Sequence, residues 1–89
     1  MKIIEGFRLR KMLNEHIVVG EGVEHVNFGK MISLNKTAAF LWQSVEGKDF
    51  TVEDLADLLV GEYGIDKEQA LADSKSIAEK LIEVGVVAE

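Results

Sequence analysis

The stretch that decides the fold runs from Ile32 to Trp42, Ile32-Ser33-Leu34-Asn35-Lys36-Thr37-Ala38-Ala39-Phe40-Leu41-Trp42. It begins as a short apolar strand, and Asn35 then places a side-chain oxygen where a helix N-cap belongs. Beyond Asn35, apolar residues recur at helical spacing, namely Ala38, Leu41, Trp42 and Val45. The stretch therefore predicts a sheet that gives way to helices at Asn35, with Trp42, the only tryptophan, in a core position.

The sequence before Asn35 has the pattern of short antiparallel strands. Residues 7–12 alternate apolar and basic side chains, residues 16–19 are rich in β-branched side chains, and residues 30–34 lead into the first helix. Residues 23–28 are a further strand segment after a glycine break at 20–22. We expect a tight turn at Asn14-Glu15 and a partly mobile lead-in at residues 1–6. These segments predict an antiparallel meander.

Three helices are predicted after this meander, each with a polar residue at its start and a glycine near its end. The starts are Asn35, Thr51 and Asp66, and the ends are Gly47, Gly64 and Gly85. Capping boxes are predicted for Thr51 with Asp54 and for Asp66 with Gln69, and a Schellman-type end is predicted at Gly64. The order of elements predicts one α+β domain, residues 1–89, with a three-stranded antiparallel meander followed by a three-helix bundle.

The last helix has a wide apolar face made of two rows. The first row contains Ala70, Ile77, Leu81 and Val84, and the second contains Leu71, Ala78 and Ile82. One row is enough to hold a helix to its own core. The second row either remains at the margin of the bundle or packs inside, against the sheet and the second helix.

Composition excludes several classes of protein. The chain has no cysteine, which excludes disulfides, thiolate zinc sites and cysteine nucleophiles. Charged residues interrupt every apolar run near the N-terminus, so no signal peptide is predicted. No apolar run approaches the roughly 20 residues needed to span a bilayer. We therefore expect a cytoplasmic protein that does not bind membranes.

The net charge of −6 is unevenly distributed. Residues 1–45 carry six basic and four acidic side chains, whereas residues 46–89 carry four basic and twelve acidic ones. An acidic helical half repels phosphate, which argues against nucleic acid as a partner. A recognition helix for DNA would need basic residues, yet residues 51–63 contain four acids and no lysine or arginine.

The sequence offers little for catalysis. His16 and His25 lie in predicted strands without cysteine nearby, and Gly20-Glu21-Gly22 lacks the third glycine of a dinucleotide fingerprint. There is no P-loop. We expect no enzymatic activity of the chain alone, no bound metal and no cofactor.

Four motifs in order carry a resemblance to a known family. They are Leu34-Asn35-Lys36-Thr37-Ala38-Ala39-Phe40-Leu41-Trp42, Thr51-Val52-Glu53-Asp54-Leu55-Ala56, Tyr63-Gly64-Ile65-Asp66 and Leu81-Ile82-Glu83-Val84-Gly85-Val86-Val87. Together they resemble the PqqD family, small peptide-binding proteins of coenzyme PQQ and related peptide-modification pathways, also called RiPP recognition elements. The resemblance spans roughly Ile17 to the end of the chain and implies a winged-helix-like architecture.

The resemblance also implies a site. In that family a precursor's leader peptide adds a strand beside the third strand and packs between this strand and the third helix. In this chain the strand is Lys30, Met31, Ile32, Ser33 and Leu34, and the wall is the second row with Lys75, namely Leu71, Lys75, Ala78 and Ile82. Independently, the edge strand of a meander has unpaired N–H and C=O groups that an extended peptide can bind. Met31 is either an adaptable outward side chain at this site or a core methionine.

The function implied is that of a non-catalytic module that binds a leader peptide and presents it to a modifying enzyme, by family analogy a radical-SAM enzyme. One alternative is a homodimeric assembly subunit that uses the same edge strand. Another is an acidic winged-helix regulator that binds DNA. Arg8 and Arg10 either attract acidic groups of a peptide or enzyme, or protect their strand from aggregation.

Overall fold

A computed structural model describes residues 1–20 and 31–89 of the chain. In chain order the elements are β1 (Lys2–Ile3), β2 (Phe7–Met12), β3 (Glu15–Gly20), β4 (Met31–Leu34), α1 (Lys36–Val45), α2 (Val52–Tyr63), α3 (Lys67–Glu83) and β5 (Val87–Ala88). The antiparallel sheet β2-β3-β4 followed by three helices confirms the predicted α+β fold. The predicted strand segment 23–28, His25 and Lys30 lie outside the described residues.

The sheet has one face toward the helices and one away from them. Leu9, Val18 and Ile32 are cross-strand neighbours, and Val18 is fully buried, so this set faces the core. The adjacent set of neighbours consists of Arg8, Val19 and Met31. Because successive side chains of a strand alternate between faces, this second set lies on the outer face.

The turn between β2 and β3 is centred one residue earlier than the sequence predicted. Leu13 and Asn14 are its two central residues, with φ angles of 49° and 70°. Two-residue hairpin turns favour positive φ at both positions because this geometry matches the twist of the flanking strands. Asparagine tolerates this conformation readily, whereas Leu13 adopts it while 97% exposed.

Side-chain caps begin all three helices, as predicted. Asn35 Oδ1 accepts from the Ala38 N–H at 2.8 Å, and Thr51 and Asp54 form a complete capping box. Asp66 Oδ1 accepts from the Gln69 N–H at 2.9 Å. The Gln69 side-chain amide donates to Asp73 Oδ1 at 2.8 Å instead of completing the predicted second box. The Gln69 amide therefore bonds forward along α3, to the carboxylate one turn ahead.

The Schellman motif occurs at the end of α3 and not at the end of α2. Gly85, with φ 87°, donates to the Ile82 carbonyl at 3.0 Å, and the Val86 N–H donates to the Leu81 carbonyl at 3.1 Å. Gly64, with φ 67°, donates to the Val60 carbonyl in the simpler αL arrangement. Both glycines end their helices as predicted.

The expected mobile lead-in is instead paired with the end of the chain. β1 and β5 form a two-stranded antiparallel ribbon, in which Ile3 pairs with Val87, and the Ile4 N–H donates to the Val86 carbonyl at 3.0 Å. The Phe50 N–H also donates to the Met1 carbonyl at 2.8 Å. Segments this far apart in sequence give no local periodic signal that they pair.

Trp42 lies in the centre of the core, as predicted, with 1% of its surface exposed. Two polar groups are buried in this core without a hydrogen-bond partner among the described residues. They are the indole N–H of Trp42 and the hydroxyl of Ser74. A buried group left in this state costs about 1–3 kcal/mol. The core of the described residues is thus apolar apart from two unsatisfied polar groups, one on α1 and one on α3.

Candidate functional site

The open edge of β4 is the first component of the site. β4 pairs with β3 through one edge, in a register that sets Val18 opposite Ile32 and Ile17 opposite Ser33. Among residues 1–20 and 31–89, no strand pairs with its second edge. The backbone of β4 therefore presents N–H and C=O groups to any extended chain that lies alongside.

A groove about 150 Å³ in volume lies between β4 and α3. Its lining residues are Ile32, Ser33, Leu34, Asn35, Ala38, Ile77, Lys80, Leu81 and Val84. Most of these side chains are apolar, and Lys80 is the one charged residue among them. The volume corresponds to about five water molecules, so the groove can hold an apolar side chain of a ligand.

A polar hollow continues the groove toward the start of α3. It has a volume of about 290 Å³ and is lined by Asn35, Thr37, Asp73, Ser76 and Ile77. Asn35 and Ile77 line both spaces, so the two are contiguous. Since Asn35 follows β4 and Asp73 precedes Ile77, the strand and the helix run in opposite directions along the groove.

The structure brings together the predicted residues of β4. Ile32, Ser33 and Leu34 all line the groove. Met31 is 58% exposed and lies on the outer face of the sheet beside Val19, so it is the outward of the two alternatives. It does not line the groove, however, and Lys30 is outside the described residues.

The wall that α3 contributes is on the opposite flank from the predicted row. None of Leu71, Lys75, Ala78 and Ile82 lines the groove. Ala78 is buried, Leu71 and Ile82 are half-buried against the core, and Lys75 is exposed. At 3.6 residues per turn, Ile82 and Val84 point roughly 160° apart around the helix.

We call Ile77, Lys80 and Val84 the groove flank of α3, and Leu71, Lys75 and Ile82 its far flank. Leu81 lies at the base of the groove and is 8% exposed. The sequence analysis placed Ile77 and Val84 in the core row, although both are only half-buried. No local signal could have found this flank, because the docking of α3 on the rest of the fold decides which flank faces β4.

A larger hollow, about 330 Å³, lies at the junction of α1 and α2. Its charged lining residues are Lys48, Asp49, Asp54 and Asp57. Asp54 is already committed to the helix cap, and Asp57 pairs with Lys67. The hollow has no open strand beside it, so the β4 groove is the better candidate for a binding site.

Within the described residues there is neither a cluster of metal ligands nor a helix that could cross a membrane. No group of three histidine, aspartate or glutamate side chains within residues 1–20 and 31–89 is arranged to bind a metal. In the same residues, every helix is too short or too polar to cross a bilayer.

Comparisons with known proteins gave one match. The model of a protein family described as Coenzyme PQQ synthesis protein D (PqqD) matches residues 12–87. That range contains β4, all of α3 and every residue that lines the groove. The comparison with curated proteins and the comparison with solved structures found no match.

Proposed function

The chain belongs to the PqqD family, and from this premise we propose that it is a non-catalytic peptide-binding module. It binds the leader of a precursor peptide by strand addition and presents it to a modifying enzyme, of the radical-SAM class. The pathway is that of coenzyme PQQ or a related peptide modification.

The observation that carries this proposal is the open edge of β4 beside an apolar groove. A peptide strand beside β4 forms main-chain hydrogen bonds that do not depend on its sequence. Every second side chain of that strand points toward α3, because side chains alternate along a strand. The groove then selects among peptides by the side chain that it accepts.

The groove supplies most of the net affinity. A main-chain hydrogen bond contributes about 0.5–1.5 kcal/mol, while ordering a residue of a flexible peptide costs about 1–2 kcal/mol. The hydrogen bonds therefore at most offset the cost of ordering the peptide. Burying one large apolar side chain of the peptide adds about 1.5–3 kcal/mol.

An amide NMR titration tests the proposal, with the leader part of a precursor peptide encoded beside the gene. We expect shifts concentrated at residues 31–34 and 77–84. A scrambled peptide of the same composition is the control. The absence of shifts at saturating leader peptide would overturn the proposal.

A matched pair of variants locates the site. Val84→Glu puts a carboxylate on the groove flank, whereas Ile82→Glu puts one on the far flank, and both positions are half-buried. We expect Val84→Glu to weaken leader binding at least tenfold and Ile82→Glu to change it less than twofold. The reverse result would place the peptide on the far flank, in the row that contains Leu71, Ala78 and Ile82 and that the sequence analysis predicted.

Self-association is a second candidate function, favoured by the same open edge. Two copies related by a twofold axis could pair β4 with β4 and join their sheets. Because this pairing would occupy the peptide site, leader peptide should then dissociate the dimer. Analytical ultracentrifugation with and without peptide separates the two candidates, since a dimer that persists with bound peptide uses another surface.

A further inference from the structure

The groove beside β4 has opposite charges at its two ends. Lys80 is the one charged residue lining the apolar part, and Asp73 is the one charged residue lining the polar hollow. Lys80 is exposed and Asp73 is half-buried. A ligand that extends along both parts therefore meets a cation at one end and an anion at the other.

The Asp73 carboxylate is held in position. Its Oδ1 accepts a hydrogen bond from the Gln69 side chain at 2.8 Å, and Thr37 and Ser76 line the same hollow. These neighbours are neutral, so among the described lining residues no cation neutralises Asp73. The hollow is thus suited to a basic or amide side chain of a ligand.

The spacing of the two charges matches an extended peptide. Asp73 and Lys80 are seven residues apart, so they lie two turns apart on the same side of α3. At 1.5 Å per residue this separation is about 10 Å along the helix axis. A strand rises about 3.3 Å per residue, so this distance lies between two and four residues of a bound strand, and those are the spacings at which two side chains face the same way.

We propose that Lys80 and Asp73 set the charge pattern and direction of the peptide that the groove accepts. The peptide has an acidic side chain at Lys80, a basic one four residues away at Asp73, and an apolar side chain midway between them that packs beside Ile77, so that all three point toward α3. This inference rests on the proposed peptide-binding function. Because antiparallel pairing is the more stable arrangement and β4 runs toward Asp73, the basic residue precedes the acidic one in the peptide.

The test is a selection from a display library of random 12-residue peptides against the whole chain. The native chain should enrich peptides with a basic residue, an intervening apolar residue and an acidic residue. With Lys80→Glu, the enriched peptides should have a basic residue in place of the acidic one. With Asp73→Lys, they should have an acidic residue in place of the basic one. Asp73→Asn, which keeps the side-chain size, should remove that preference without reversing it.

Two variants of the same helix serve as controls. Lys75→Glu and Glu79→Lys reverse exposed charges that do not line the groove. They should enrich the same peptides as the native chain. For the best enriched peptide, reversing its two charges should weaken binding about tenfold, measured by fluorescence anisotropy at low salt, where exposed charges are least screened.

The outcomes separate this inference from the function on which it rests. If neither the native chain nor any variant enriches a peptide, the proposed peptide-binding function is wrong and the inference fails with it. If peptides are enriched but their charges do not respond to Lys80→Glu or Asp73→Lys, the inference alone is overturned. A response to Lys75→Glu and not to Lys80→Glu would also overturn it, by placing the peptide on the far flank.

Discussion

The two flanks of α3 have similar side chains but different surroundings. Each flank has two half-buried aliphatic residues and one exposed lysine: Ile77, Val84 and Lys80 on the groove flank, and Leu71, Ile82 and Lys75 on the far flank. Only the groove flank lies beside β4, at the edge with which no strand of residues 1–20 and 31–89 pairs. Partial burial and helical spacing therefore do not distinguish a binding surface on a helix. The element that lies beside each flank makes the distinction.

Leu81→Ala should have the largest effect, because this side chain supports both flanks from the core. Leu81 is 8% exposed, and truncating a buried leucine costs about 2–5 kcal/mol in the free energy of unfolding. Urea unfolding followed by circular dichroism measures this cost. Ile82→Ala, at the next position and half-buried, should cost distinctly less. Equal costs would contradict the assignment of Leu81 to the core.

Ile77→Ala and Leu71→Ala compare the flanks directly. Both side chains are half-buried, so each truncation should lower the free energy of unfolding by a similar amount, about 1–2 kcal/mol. Only Ile77→Ala should weaken binding of the leader peptide, by about tenfold or 1.4 kcal/mol. Calorimetric titration of both variants gives the affinities, and a comparable loss for Leu71→Ala would remove the distinction between the flanks.

Asn35→Ala and Asp66→Ala extend the comparison to the helix caps. Each removes a side-chain oxygen that caps a helix, so each should cost about 1 kcal/mol in thermal or urea unfolding. Asn35 also lines both parts of the groove, and Asp66 lines neither. We expect peptide affinity to fall about threefold for Asn35→Ala only. An equal fall for Asp66→Ala would indicate that general loosening of the helices weakens binding.

Ser74→Ala should have the smallest effect and the opposite sign. Ser74 lies on the buried side of α3, and its hydroxyl has no hydrogen-bond partner among the described residues. Alanine removes this unsatisfied group and favours the helix, so stability should rise by up to about 1 kcal/mol. Peptide affinity should not change, since neither flank is altered. A loss of stability would show that the hydroxyl has a partner after all.

The sequence predicted the features of the fold that depend on local chemistry. Asn35 and Thr51 cap their helices as their side chains require, and Gly64 and Gly85 end theirs with positive φ. The turn after β2 lies one residue earlier than predicted, because the twist of the strands requires positive φ at Leu13. The ribbon of β1 and β5 was not predicted, because its two strands lie at opposite ends of the described sequence.

The residues that line the groove were predicted on its strand side and not on its helix side. A three-stranded meander has an edge at β2 as well as at β4, and it was the family resemblance that selected the strand with Ile32, Ser33 and Leu34. The rotation of α3 about its own axis is set by packing over its whole length. Apolar residues occur on both sides of its buried centre, so the sequence could not decide between Ile82 and Val84.

The ribbon of β1 and β5 has a kinetic consequence for the folded domain. Ile3 and Val87 are 84 residues apart in sequence, so their pairing carries a high loop-closure cost until the sheet and α3 have formed. We therefore expect this pairing to form late in folding. Contacts made after the transition state slow unfolding and have little effect on the rate of folding. We therefore expect truncation of Ile3 or Val87 to speed unfolding more than it slows folding.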